Sequence, residues 1–180
     1  MIIETQAGYF GIDDPCPPID IVAHSLGNLC RFTGHSSMFY SVADHSVLVS
    51  RLAEWLGGDP MEGLLHDAHE CLMGDMASPW KDCFPRFREI EKHVAAGLLR
   101  GYGKVAVFGQ ETKRADMIAL FMETEHFLPS RGYTWAGREK YVDDLSHAKM
   151  AGIILPDDVF RYPHDGAARF LERFQWLTRH

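Results

Sequence analysis

The run GLLHDAHE, residues 63 to 70, sets a histidine and an aspartate side by side in an otherwise apolar stretch. Burying His66 and Asp67 is costly unless a partner replaces their lost hydration, and a divalent cation is one such partner. Adjacent helical residues point about 100° apart, so the pair reaches one ion only at a notch between helices, and other elements must complete the shell. Two further polar residues stand on apolar helical faces: His45 amid Val42, Val49 and Leu52, and Asp116 amid Ala115, Ile118 and Leu120. With His66 and Asp67 they supply two nitrogens and two carboxylate oxygens, a set suited to Zn²⁺, Co²⁺, Mn²⁺ or Fe²⁺ with water in the open positions. Glu70 follows His66 by four residues and Asp67 by three, on the same helical face, where it can orient or deprotonate water. Asp75, just past Gly74, is either a contact to a substrate sugar or leaving group or a plain loop acid. The alternative for His66 and Asp67 is a buried hydrogen bond that fastens helices without metal. The sequence has no Walker-type glycine loop, no HExxH and no GxSxG, so P-loop, zincin and serine-elbow chemistry are unsupported.

These residues need helices to carry them, and the sequence reads as a succession of amphipathic helices. The first is expected from Ile19 through IDIVAHSLGNLCRF, and the second from about Val42 to Leu56, closed by Gly57-Gly58. Asp59-Pro60 marks the cap and first turn of a third, which is expected to run unbroken through MEGLLHDAHECL to Gly74. A loop, DMASPWKD, precedes helices from about Phe84 to Arg100 and from Gln110 to about Phe127. Tyr141 to Ile154 and Asp165 to Leu177 are also expected to be helical, while GKVAVFG and GIILP are candidate short extended pieces.

A chain of 180 residues with 46% hydrophobic and 24% charged residues fits one domain with a core of its own. The expectation is a single all-α domain over residues 1–180, with its motifs between about 19 and 128 and the metal site between helices. A formal charge of -7 argues against a duplex nucleic-acid partner, which calls for a basic face, but leaves room for a free nucleotide held by a few local cations. No apolar run approaches the roughly 20 residues of a membrane span, and no leader opens the chain, so a cytoplasmic protein is expected. Four scattered cysteines without a CxxC pair suggest neither a zinc ribbon nor a disulfide framework.

SVADHS, LLHDAHE, GDMASPWK and KRADMIAL, in that order over about residues 19 to 128, resemble the HD-domain nucleotidohydrolases. The likeness is strongest to the bacterial 5'-deoxynucleotidase family and its phage and prophage relatives, including phage dATP triphosphohydrolases; LGNLCRFTGH and FYSVADHS are especially similar to the phage and prophage branch. The resemblance implies that His45, His66, Asp67 and Asp116 hold the metal, that Glu70 activates water and that Asp75 contacts substrate. It also implies that Arg31 and Lys81 grip phosphate. Phe32 stands where the monophosphatase members carry tryptophan, and His69 where relatives often carry a small or hydroxyl residue. His69 is a candidate phosphate contact, as is His35 in the loop before the first ligand, and Trp80 is a candidate to stack on a nucleobase.

The function implied is hydrolysis of a deoxynucleotide, either a monophosphate to deoxynucleoside and phosphate or a triphosphate to deoxynucleoside and triphosphate, with Mg²⁺ accompanying a triphosphate substrate. A homo-oligomer in the cytoplasm of a bacterium or a phage-infected host is implied as well. Two other readings stand beside it: a hydrolase or phosphodiesterase of signalling nucleotides, and a non-catalytic HD-fold nucleotide sensor.

Overall fold

The computed structural model describes residues 2–11, 13–14, 16–105, 107–153, 155 and 162–180. It opens on an antiparallel hairpin, β1 (Ile2–Thr5) against β2 (Gly8–Gly11), with Ile2 opposite Gly11 and Thr5 opposite Gly8. Gly8 turns the chain at a φ of 110°, which a side chain would resist. The all-α expectation agrees with a mostly helical structure in which this hairpin is the one small sheet among the described residues; strands of four residues are too short for their alternation to stand out. The rest of the described fold is helical.

Helix α1 (Ile19–Asn28) stops short of Phe32 because Cys30 forms an antiparallel bridge with Ser41, and a 3₁₀ turn over Arg31–Gly34 follows. Phe32 and Thr33 in that turn hold φ values of 55° and 54°, a left-handed geometry costing of order 1–3 kcal/mol per residue in side-chain-bearing positions. Helix α2 (Val42–Trp55) starts at a capping box in which Ser41 Oγ accepts from the Asp44 backbone and Asp44 reaches back to the Ser41 backbone. Helix α3 (Pro60–Leu65) starts on Asp59, whose carboxylate accepts from the Met61 and Glu62 amides.

The expected unbroken third helix is corrected next. The chain tightens at His66–His69 into i to i−3 hydrogen bonds, with Ala68 donating to Leu65 and Glu70 to Asp67 (both 3.0 Å), before α4 (Glu70–Met73) resumes. A 3₁₀ stretch inside a helix re-aims successive side chains. Gly74 ends α4 at φ 79°. The expected loop DMASPWKD instead contains α5 (Ser78–Cys83), because Pro79 lies in its first turn, where its missing amide costs nothing.

Helices α6 (Pro85–Gly101), α7 (Gln110–Phe127), α8 (Val142–Met150) and α9 (Pro163–Arg179) complete the chain. Of the two candidate extended pieces, the described parts hold no strand; Ala106, Ile154 and Pro156 lie outside the described residues, as does the expected end of the eighth helix at Ile154.

Helix α2 is the hub, almost wholly buried, with α1, α3, α7 and α9 packed around it. One side of it joins Val22, Leu26, Leu64, Leu65, Leu98 and Phe170, and the other Ile118, Phe121 and Leu145. At about 1.5–3 kcal/mol per fully buried large apolar side chain, these two clusters dominate the stability. Gly63 lets α3 approach α2 closely, since a Cβ there would stand 3.0 Å from Ala53 Cβ and 3.1 Å from Val49 O. Arg169 of α9 donates to Asp44 (2.6 and 2.9 Å), tying the last helix to the start of α2. Among the described residues no helix is long and apolar enough to cross a membrane.

Candidate metal centre

His45 lies one turn into α2, so the Ser41 cap fixes how deep its imidazole sits. His66 and Asp67 come from the tightened turn after α3, and Asp116 from the second turn of α7. Their side chains meet. His45 Nε2 is 3.2 Å from His66 Nε2, 3.2 Å from Asp116 Oδ1 and 3.5 Å from Asp67 Oδ2. His66 Nε2 is 3.1 Å from Asp67 Oδ2 and 3.8 Å from Asp116 Oδ1. Ligands about 2.0–2.2 Å from a common ion lie roughly 2.8 to 3.6 Å apart across the edges of its coordination shell, a range that four of these five separations meet, with the 3.8 Å His66–Asp116 pair just beyond it.

The donor chemistry passes the same test. His45 Nδ1 donates to Glu123 Oε1 (2.6 Å) and His66 Nδ1 to the Gly63 carbonyl (2.8 Å). Each neutral imidazole therefore turns its lone pair at Nε2 toward the other and toward two carboxylates. Four acceptors around one point call for a cation. Protein charges alone answer with a proton: burial and Arg31 push the His45 imidazole down, but Glu123 and Asp116 outweigh them and lift it to about 10. Burial would raise the Asp67 carboxyl, yet His66 and His45 hold it well below its usual range, and against the same burial His45 and His66 lower that of Asp116. His45, His66 and Asp116 lie close enough together to hold a metal ion, and Asp67, whose Oδ2 is beside both imidazoles, also groups with His69 and Glu70 in a second such cluster.

Glu123 was not singled out from the sequence, and it anchors the site. It is fully buried, accepts from His45, from Tyr40 Oη (2.8 Å) and from Arg31 (2.9 Å), and His45 and Arg31 overcome its burial to hold its carboxyl at about 2. A carboxylate behind a ligating imidazole fixes its tautomer and orientation. The signal was present, since Glu123 follows Asp116 by seven residues, two turns along the same face of α7. Arg31 thus acts through Glu123, while its charge also reaches Asp67 and Asp75.

Glu70 is buried, 3.7 Å from Lys81 Nζ, and its Oε2 has no hydrogen-bond partner among the described residues. Burial, with Asp67 and Asp75 close by, pushes its carboxyl well above the ordinary range. Asp75 is half-buried and also pushed up, mainly by burial. Lys81 pairs with Glu91 of α6 (2.5 Å), and Glu91 also lies 3.5 Å from His69 Nε2.

A cavity of about 550 Å³ opens over the cluster between α6 and α7, with His66, Asp67 and Asp116 in its lining. Asp116 is 43% exposed toward solvent, consistent with a ligand at an open cleft. His69 and Lys81 line the cavity, as do Arg88, Lys92 and Lys113, three cations not singled out from the sequence. An apolar wall of Ala96, Leu99, Val107 and Phe108 completes it. Four expected substrate contacts are outside the lining: Trp80 is 64% exposed on α5, His35 lines a separate depression with His126 and Arg131, Arg31 is engaged with Glu123, and Asp75 is half-buried beside Glu70.

Fold and site define a mostly helical protein with a histidine–carboxylate cluster able to hold a metal ion at the floor of a cleft. No family model matches the chain. It is 38% identical over 160 residues to the uncharacterized protein YfdR of Escherichia coli (strain K12), an alignment covering 89% of this chain and 84% of that protein. It is 32% identical over 183 residues to an uncharacterized protein of Rhodobacter capsulatus, covering 92% of this chain and 89% of the relative. The chain belongs to the family of these proteins.

Proposed function

We propose that the protein is a metal-dependent phosphohydrolase of the HD-domain type acting on deoxynucleotides. The observation that carries the reading is that Asp67 and Asp116 each stand 3.1–3.8 Å from the paired His45 and His66 imidazoles at the floor of a cleft that also presents cations. A divalent cation at these ligands supplies a Lewis acid for a phosphate oxygen and eases deprotonation of water. The donor set suits Zn²⁺, Co²⁺, Mn²⁺ or Fe²⁺, with Mg²⁺ entering alongside a nucleoside triphosphate.

The protein's own groups do the rest. Glu70, buried beside Lys81 with one carboxylate oxygen unpartnered among the described residues, takes the proton of the attacking water; a positioned general base contributes about 10²–10⁴ in rate. Lys81, held by Glu91 beside Glu70, offsets phosphate charge as the transition state forms. Arg31 adds positive charge from the far side while steadying His45 through Glu123. Asp75 is left to meet the sugar or the departing oxygen.

Elemental analysis paired with turnover tests the assignment. Asp67→Ala is expected to lose bound metal and activity together, and Glu70→Gln to keep its metal while turning over at least ~100-fold more slowly. A Glu70→Gln variant within a few-fold of wild type would remove Glu70 as the base, and an active Asp67→Ala variant without metal would remove the mechanism.

A further inference from the structure

The tightened turn at His66–His69 does more than aim His66 and Asp67. Asp67 and His69 stand about 160° apart around an α-helix but about 120° apart at three residues per turn, while Asp67 and Glu70 come into line. One ligand atom from each of Asp67, His69 and Glu70 falls within 4.8 Å of the other two, the same spacing that groups His45, His66 and Asp116. His69 is only 6% exposed and Glu70 only 3%, yet neither ring nitrogen of His69 nor Oε2 of Glu70 has a hydrogen-bond partner among the described residues. His69 Nε2 stands 3.5 Å from Glu91 Oε1, outside hydrogen-bond geometry. Buried polar atoms are costly unpaired, and three at one spot call for a ligand. The surrounding charge gives its sign, since Asp67, Glu70 and Glu91 gather there around a single cation, Lys81.

We infer that Asp67, His69 and Glu70 form a second divalent-cation site, joined to the first through Asp67 and weaker than it. One imidazole nitrogen and two carboxylate oxygens suit Mn²⁺, Co²⁺, Fe²⁺ or Zn²⁺ better than Mg²⁺, which prefers oxygen ligands alone. Ions of a two-metal site stand about 3.5–4 Å apart. Two dications that close repel, so the ion already held by His45, His66 and Asp116 makes the second harder to add. Lys81, 3.7 Å from Glu70 Oε1, competes for the same carboxylate. The consequence for turnover rests on the phosphohydrolase reading. Glu70 Oε2 bound to an ion is no longer open to the attacking water, so the second ion inhibits: one ion per chain gives the active form and two a slowed one.

The test titrates chelator-stripped wild type, His69→Ala and Glu70→Gln with Mn²⁺ and with Zn²⁺. Bound metal is read by equilibrium dialysis with elemental analysis, Mn²⁺ coupling by electron paramagnetic resonance, and turnover of each dNMP and dNTP at every metal concentration. Wild type is expected to bind two ions, the second at least ~10-fold more weakly than the first. The doubly loaded Mn²⁺ protein is expected to show a spin-coupled pair. Both variants are expected to keep the tight ion, which reports an intact fold; His69→Ala loses the weak one and Glu70→Gln holds it less well. Wild-type turnover rises as the first ion binds and falls as the second does, and His69→Ala shows no such fall. A single ion in wild type at saturating metal, a weak ion that His69→Ala retains, or loss of both ions together from His69→Ala overturns the inference and leaves the hydrolase reading to its own turnover. Two ions with undiminished turnover overturn the inhibitory role. His69-dependent binding of a second ion without turnover of any nucleotide at any metal concentration overturns the hydrolase reading and keeps the site.

Discussion

At the scale of single residues, Glu123 decides whether His45 is a good ligand. Its carboxylate holds the Nδ1 hydrogen, so Nε2 carries the lone pair, and Arg31 and Tyr40 keep that carboxylate ionised and fixed. Outer partners of ligating histidines are commonly worth 10–100-fold in metal affinity. Glu123→Gln is therefore expected to weaken metal binding by about that factor while leaving the four ligands in place, measured by competition with a chromogenic chelator. Affinity equal to wild type would show that His45 needs no such anchor. The ligands themselves were legible because each is a polar residue on an apolar helical face, which burial makes costly without a partner. Glu123 carried the same signature at the same helical phase, but its meaning depends on His45, 78 residues away. Lys92 and Lys113 were not legible, because an exposed lysine on a helix looks alike whether it faces a cleft or open solvent.

At the scale of elements, the site depends on how tightly α3 lies on α2. Gly63 permits the contact, and its carbonyl accepts from His66 Nδ1, so one residue sets both the packing and the orientation of a ligand. Gly63→Val is expected to cost about 1–3 kcal/mol by overpacking, read as a lowered denaturant midpoint, and to reduce metal affinity with it. Lost stability with full metal affinity would uncouple the two. Helices α2 and α7 could be read nearly to their ends from apolar periodicity, and the start of α3 from Asp59-Pro60. The break at His66–His69 could not, because a 3₁₀ turn keeps almost the same pattern of apolar residues as the helix it interrupts. The hairpin was missed for the opposite reason, its strands being too short to show a period.

For the whole molecule, burying several charges between two apolar clusters makes the fold sensitive to acid. Glu123 has a folded value of about 2 against an ordinary 4.5, so it stabilises the fold fully above about pH 4.5 and loses that contribution as pH falls toward 2. Denaturant titrations across that window are expected to show wild type losing stability faster than Glu123→Gln; parallel slopes would mean that other carboxylates govern acid unfolding. The similarity to YfdR extends over 160 residues, 89% of the chain. The most direct test of the central claim is chromatography of products from chelator-stripped and metal-reconstituted protein incubated with each dNMP and each dNTP, with Asp67→Ala in parallel. The account predicts deoxynucleoside only from the reconstituted wild type. Deoxynucleoside from the stripped protein at the same rate, or none from any nucleotide with one metal ion bound per chain, would contradict it.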